Sequence, residues 1–236
     1  MLLAINTCGT TASVALGLIP PNGKQIKTVA TAVLAVRTYS ARLIPEIAAM
    51  LQRVQATMQD IEAIVVVSGP GSFTGIRVGL STAKGLAEGA GIPLIAVSRL
   101  ALLAGSSGLP HVLAAVDAGR GEYYVGEYRN RTKVGEMLLS GEETIVAAKK
   151  PGAGVLVCDE SVAGDSLAGD RPPNHACGAL AICGPVYVQP PGAAEALRFA
   201  LERFHARAFD NVQTLDANYL RRSDAELAAR AMLVTS

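Results

Sequence analysis

Tryptophan is missing from these 236 residues, aromatic side chains make up only 4% of them and charged ones 17%. Any core must therefore be built from Ala, Val, Leu and Ile. Half of the chain is hydrophobic, so such a core is affordable and intrinsic disorder as the main state is excluded. Neither sign of charge dominates: 21 Lys and Arg face 20 Asp and Glu. That balance excludes a surface that grips nucleic acid all over. Histidine is scarce, with three residues, His111, His175 and His205, none at helical spacing from another, so no two-histidine helical metal site exists. The four cysteines, Cys8, Cys158, Cys177 and Cys183, form no C-x-x-C pair and read as free buried thiols of a reducing compartment. No apolar run approaches the ~18 residues that span a bilayer. The apolar start breaks at Asn6 with no basic stretch before it, so no signal peptide is read there and a cytoplasmic location is expected. No G-x-S-x-G elbow of a serine hydrolase occurs.

What is present is an alternation of strand and helix signals. Met1–Asn6 is a short apolar run ending in a polar turn, and Ala12–Leu18 alternates apolar with small residues, a hairpin of two strands. Lys27–Val36, rich in β-branched residues, predicts a third strand. Ser40 is placed to cap a helix to about Met58, in which Leu43, Ile44, Ile47, Met50, Leu51 and Val54 recur at helical spacing and Pro45 costs a backbone bond or bends the axis. Ile61–Val67 predicts a buried strand, a helix follows to about Ala90, and Ile92–Val97 is the next strand. In the second half, His111–Asp117 and Glu122–Arg129 read as strand, turn and strand, Glu142–Lys150 as a short helix, Val155–Cys158 as a strand. Residues 163–178 read as a Pro- and Gly-rich loop, Ala193–Phe209 as an amphipathic helix, and Ser223-Asp224-Ala225-Glu226 as a capping box opening a last short helix.

Two observations suggest a duplicated α/β design with a cleft between two lobes. Leu3–Gly9 resembles Ala114–Gly119, each a strand that delivers an amide or carboxylate into a Gly-bearing turn. The charge is also split: residues 1–105 hold eight Lys and Arg and four Asp and Glu, whereas 106–190 hold seven and ten. The first lobe is expected at 1–105, joined by the helix near 193–209, the second and smaller one at 106–190, and a C-terminal tail with a short helix at 210–236.

The strongest local signal is Gly69-Pro70-Gly71-Ser72-Phe73-Thr74-Gly75 between a buried strand and a helix. Glycines free backbone N–H groups to point outward and the helix N-terminus adds positive potential, the physics of a phosphate cradle; a tight turn is the plainer reading. No Gly-Lys-Ser/Thr follows, which excludes Walker A. Asn6, Thr7, Gly69, Gly71, Ser72, Thr74 and Asp117 form the candidate, degenerate phosphate cleft. Asp117 ends a strand where carboxylates that hold Mg²⁺ often sit, or it merely closes its own turn. Asn6 supplies no charge to a metal or to a general base. In the helix, Gly75, Gly79, Ala83, Ala87 and Gly91 recur every four residues, a ridge that permits close approach of another element of this chain or of a partner.

Together, LLAINT at the start, GPGSFTGIRVGLSTAKGLA at 69–87, IPLIAVSRL at 92–100, VDAGRGEYYVGEY at 116–128 and Asn218-Tyr219-Leu220-Arg221 resemble the TsaB family, also called YeaZ. The resemblance implies a two-lobed actin/sugar-kinase-like ATPase (ribonuclease H-like) fold. It implies a role in making threonylcarbamoyladenosine beside the anticodon of tRNA, as the non-catalytic partner of TsaD, with the P-loop ATPase TsaE joining the pair. TsaD-like proteins carry a metal-binding His-x-x-x-His where this chain has Arg99 and Leu103. No metal site and no catalytic residue are therefore assigned, no cofactor is required by this chain, and at most weak ATP or ADP binding within the complex is expected.

The chain also departs from TsaB proteins, which usually have Asp at the position of Asn6, His near Tyr39, Asp-Ala-Arg where Asp117-Ala118-Gly119 stands, and a glycine-rich segment where Val157-Cys158-Asp159-Glu160 stands. Pairing in the family is similar to a contact of two helices from each partner. The matching residues are Leu43, Ile44, Ile47, Met50 and Leu51 on one helix and Gly75, Ile76, Gly79, Leu80 and Ala83 on the other, with Gly79→Leu expected to block pairing while leaving the monomer folded. A homodimer is expected when TsaD is absent, and tRNA is expected to be met through the complex. The competing readings are an active small-molecule kinase of the same fold and, more remotely, a glycoprotease-like metalloprotease.

Overall fold

The computed structural model describes residues 1–21, 23–35, 39–159 and 185–220. The strand end at Val36, the loop at 163–178, the capping box Ser223–Glu226 with its helix, Arg221, Arg222, His175, Cys177 and Cys183 lie outside them.

Two five-stranded mixed sheets repeat one plan. In the first, β1 (Leu2–Asn6), β2 (Thr11–Leu18) and β3 (Lys27–Ala35) form an antiparallel meander, and β4 (Ala63–Val67) and β5 (Leu94–Val97) add on in parallel, giving the order β3-β2-β1-β4-β5. In the second, β6 (His111–Gly119), β7 (Glu122–Arg129) and β8 (Thr132–Ser140) form the meander and β9 (Val155–Asp159) and β10 (Val186–Val188) the parallel extension, in the order β8-β7-β6-β9-β10. The weak sequence repeat thus marks β1 and β6, the central strands of equivalent sheets. This is the two-lobed actin/sugar-kinase-like ATPase architecture. The central strands read as continuous apolar runs because both faces are covered: every residue of β1 and of β4 is buried.

Helices α1 (Tyr39–Arg53) and α2 (Phe73–Ala90) cover one face of the first sheet through Leu43, Ile47, Met50, Leu80, Ala83 and Ala87. The opposite face is covered by α5 (Ala193–His205), whose Ala193, Ala196, Leu197 and Ala200 meet Leu2, Ala4 and Val65. The helix after β5, α3 (Arg99–Ser106), instead packs Leu100, Leu103 and Ala104 on the second sheet. Its other face is covered by α4 (Gly141–Lys149), with Ile145 and Ala148 against Leu113 and Val125. The helix that follows each sheet therefore packs on the other one, and α3 and α5 cross between them. The free edge of β5 is closed by Asp210, whose carboxylate accepts the Ala96 N–H at 2.7 Å and whose own N–H donates to the Leu94 carbonyl, a device that blocks edge-to-edge pairing.

The structure corrects several expectations. Ser40 stands inside the first turn of α1, not ahead of it, and the helix ends at Arg53 rather than near Met58. The ending is a Schellman motif: Gln55 takes φ +55°, Ala56 N–H donates to Leu51 O and Gln55 N–H to Gln52 O. α5 likewise ends at His205 rather than Phe209, with Arg207 at φ +50°, Ala208 N–H on Arg203 O and Arg207 N–H on Phe204 O. Gly91 is not part of the glycine ridge but caps α2 in the left-handed region, φ +66°. Four elements were not foreseen: a 3₁₀ turn at Met58–Asp60, α3, β8 and β10. Pro45 is accommodated within α1.

Candidate functional site

The carboxyl ends of β1, β4 and β9 converge between the two sheets, the place where open α/β sheets bind ligands. The Gly-rich loop leaves β4 there and folds onto the end of β1. Ser72 N–H donates to Cys8 O at 3.0 Å, and a Cβ on Gly71 (φ +155°) would stand 2.2 Å from that same oxygen, so no other residue fits. Ser72 caps α2, its Oγ accepting Gly75 N–H. Thr7 Oγ1 donates to Gly75 O at 2.6 Å. The loop is therefore latched to the β1 end by its own donors. Ser72, Phe73 and Thr74 remain exposed, whereas Gly69 and Pro70 are buried.

Asn6 is buried and uses both ends of its amide: Nδ2 donates to Pro191 O at 2.9 Å and Oδ1 accepts Cys8 N–H at 3.1 Å. The Cys8 thiol donates to Val67 O at 3.0 Å, and burial pushes it up to about 12.

Between the sheets lies an ion pair. Arg99, the first residue of α3, places one guanidinium nitrogen 2.7 Å from Asp159 Oδ2 at the end of β9, and its other faces Cys8 O at 3.4 Å. The two side chains are 8% and 0% exposed. Neither was foreseen as a pair. The local signal was present, two opposite charges each ending an apolar run, but only the fold brings them together. A second polar junction centres on Glu136 of β8. Its Oε1 accepts from Ser98 Oγ at 2.5 Å and from the Tyr128 hydroxyl, and its Oε2 accepts from Asn218 Nδ2 at 2.6 Å. Burial, reinforced by the Glu136 charge, raises the Tyr128 phenol far above its ordinary value.

Of the candidate cleft residues, the structure brings together Asn6, Thr7, Gly69, Gly71 and Ser72 around Cys8, with Thr74 at the exposed rim. It leaves Asp117 on the second sheet, exposed, with its carboxylate accepting Gly119 N–H at 2.7 Å: the turn-closing role, not a ligand-facing one. Part of the donor set that a nucleotide would use is already engaged within the chain. The cradle N–H of Ser72 and the Asn6 amide are spent internally, and the guanidinium that could meet phosphate is bound to Asp159. A metal does not fit at the positions aligned with the TsaD histidines: Arg99 is paired, and Leu103 is 0% exposed in the core under the second sheet. Among the described residues no group of three His, Cys, Asp or Glu comes together, and no helix is long and apolar enough to cross a membrane.

The proposed helix contacts face largely inward. Leu43, Ile47, Met50, Leu51, Ile76, Leu80 and Ala83 are buried in this chain's own cores, as are Gly75 and Gly79. Only Ile44, 57% exposed, looks out. A Cβ on Gly79 would lie 2.2 Å from Thr7 Oγ1, so this glycine serves the close approach of β1 and α2 within the chain, and Gly79→Leu would strike the fold itself. A different row of small residues, Ser81, Gly85 and Gly89, is exposed on α2, with open space beyond both glycines. On α1 the exposed residues include Ala41, Ile44, Pro45, Ala48 and Ala49, interspersed with Arg42, Gln52 and Arg53.

Comparison with known proteins fits this architecture. The family model described as TsaD, tRNA N6-adenosine threonylcarbamoyltransferase, matches residues 32–167, more than half of the chain. The tRNA threonylcarbamoyladenosine biosynthesis protein TsaB of Escherichia coli K12 is 40% identical over 120 residues, 49% of this chain and 51% of that protein. TsaB of Bacillus subtilis is 35% identical over 115 residues, 47% and 49%. An uncharacterised protein of Mycobacterium tuberculosis H37Rv is 31% identical over 191 residues, 80% of this chain and 78% of its own. The chain spans about half the length of the curated TsaB relatives it matches. The solved structure of YeaZ from Pseudomonas aeruginosa superposes with a TM-score of 0.71 at 25% identity, covering 93% of this chain and 99% of that one. With the family model, the TsaB relatives and the YeaZ fold all in agreement, the chain belongs to the TsaB/YeaZ family.

Proposed function

We propose that this protein is a non-catalytic subunit that supports threonylcarbamoyl transfer to tRNA adenosine by pairing with a TsaD paralogue, with the ATPase TsaE joining them and tRNA met through the assembly. The observation that carries this reading is the Arg99–Asp159 pair. The group standing where a TsaD-type protein would bind its metal is locked into the chain's own structure, so this chain lacks the means for the transfer step and its contribution is contact. The exposed apolar side of α1 and the small-residue row Ser81, Gly85 and Gly89 of α2 suit close helix packing. In the absence of the paralogue the same face pairs two copies of this chain.

The test is size-exclusion chromatography with light scattering, mixing this protein with TsaD from the same organism. A one-to-one complex that displaces a homodimer supports the reading. No complex, with TsaE and nucleotide also present, overturns it. Ile44→Glu separates pairing from folding. It places a charge on the outward face at a residue already 57% exposed, so the melting temperature stays within about 1 °C while heterodimer affinity drops at least ~30-fold, the scale of an interface hot spot. Undiminished pairing by this variant would exclude the α1 face.

A further inference from the structure

Away from the cleft, where α3 and α5 cross, two adjoining cavities of about 440 and 340 Å³ share Gly105 and Arg131. Both are in the range of small-molecule sites. The larger is mainly apolar, with Leu109, Pro110 and Val112 along it and Tyr128 at its side. The smaller mixes polar and apolar surface, with Arg131, Arg198 and Glu195 around Phe199 and Leu102. Arg131 stands at the boundary.

The position of Arg131 is costly. It is the second residue of the two-residue turn Asn130–Arg131 that joins β7 to β8, Arg129 pairing with Thr132. Asn130 has φ +47° and Arg131 φ +66°, the turn whose second seat belongs to glycine. The turn is held down by Asn130 N–H on Pro110 O at 2.6 Å, and Arg131 reaches across to α5, its guanidinium carbon 5.9 Å from the Phe199 ring centroid. Among the described residues its guanidinium meets no carboxylate. Arg198, by contrast, is already paired with Glu195. An exposed cation in a left-handed seat, resting over Phe199 at the edge of an apolar cavity and meeting no carboxylate among the described residues, is strain of the kind that accompanies binding sites.

We propose that this double cavity binds a small carboxylate with an apolar body. The body fills the cavity of Leu109, Pro110 and Val112, and the carboxylate takes the fork of Arg131, whose planar donors match it in bidentate geometry. The charges select a monoanion. Arg131 and Arg198 face Glu195, leaving one positive charge, and the last turn of α3 at Gly105 and Ser106 presents its negative end to the same space. A phosphate dianion would meet that carboxylate and that helix end with too little to offset it. The ligand bridges the β7–β8 turn of the second sheet and α5 on the first.

The full chain is titrated with hexanoate and phenylacetate by calorimetry and by amide chemical shifts, with hexanamide, phenylacetamide and inorganic phosphate as controls. Saturable binding of the carboxylates, at least tenfold weaker for the amides and for phosphate, is expected, with shifts centred on residues 104–112, 128–131 and 198–199. Arg131→Gln loses at least tenfold. Arg131→Gly, which supplies the residue the turn prefers, raises the melting temperature of the free protein yet abolishes carboxylate binding. Equal binding of acid and amide, phosphate binding as tightly as the acids, no saturation in the tens of millimolar, or full binding by Arg131→Gly would each overturn the proposal.

Discussion

Asp159→Ala is expected to be among the most damaging single substitutions in this protein. Asp159 is fully buried and Arg99 nearly so, at 2.7 Å. Removing the carboxylate leaves a guanidinium in a nearly closed site, where its other hydrogen bond among the described residues is the 3.4 Å approach to Cys8 O. Breaking a buried pair in this way costs about 3–5 kcal/mol, against a total stability of about 5–15 kcal/mol for an ordinary domain. With a urea m-value of ~2–3 kcal/mol/M, the midpoint of denaturation should fall by about 1–2 M. Replacing both partners by apolar residues, Arg99→Met with Asp159→Leu, removes the uncompensated charge and should recover most of the loss, because a buried pair contributes little net over a packed apolar substitute. Urea melts followed by far-ultraviolet circular dichroism on wild type, both single variants and the double variant complete the cycle. Single losses under about 1 kcal/mol, the scale of an exposed pair, or a double variant as unstable as the sum of the singles, would refute a desolvated latch between the sheets.

Gly79→Ala should destabilise by about 2 kcal/mol, the scale of an overpacked contact, because the new methyl stands 2.2 Å from Thr7 Oγ1 and displaces its bond to Gly75 O; an unchanged thermal midpoint would show that Thr7 can move aside at no cost. The thiols set an alkaline limit. Burial raises Cys8 and Cys158 from 9.0 to about 12, so the stability tied to their protonated forms is complete below pH 9 and is lost as pH rises from 9 towards 12, by about 1.4 kcal/mol per pH unit and thiol. Urea melts from pH 8 to 10.5 should show a shallower decline in Cys8→Ala than in wild type; equal slopes would place the Cys8 thiol within reach of water.

Much of the fold was legible because burial on both faces writes itself as uninterrupted apolar runs, as in Leu2–Asn6 and Ala63–Val67, and because an amphipathic helix repeats its core residues at 3.6. The helix ends at Arg53 and His205 were misread for one shared reason. Each terminates in a left-handed residue that is not glycine, Gln55 and Arg207, so the usual stop signal was absent. β8 escaped notice because it is an edge strand: Thr132, Lys133, Val134 and Met137 are exposed, and the alternation that marks a half-buried strand is blurred. α3 was hidden by its shortness and by burying Arg99 at its start. Its cap, Ser98 Oγ accepting Leu100 N–H, was the available signal. Of the site, the Gly-rich loop could be located from its residues, but not that its donors turn inward. A glycine ridge tells that something comes close, not whether the neighbour is a second chain or, as at Gly79, Thr7 of the same one.

Asn6, Arg99 and Asp159 share one feature: each is buried, with polar atoms of its side chain bonded within the chain. Asn6 faces a carbonyl, Pro191 O, and an N–H, that of Cys8, at once. The amide donates to the first and accepts from the second, whereas an ionised Asp there would set its charge against the carbonyl. The substitution therefore removes a charge from the cleft and gains a bond between the end of β1 and the segment that leads into α5. Arg99 and Asp159 instead keep their charges and form an internal pair that ties α3 to β9, with Arg99 also approaching Cys8 O just beyond β1. Burying polar groups is tolerated here because each finds a partner within the chain. What the scaffold presents outward is the exposed sides of α1 and α2 and the cavities at the α3–α5 crossing.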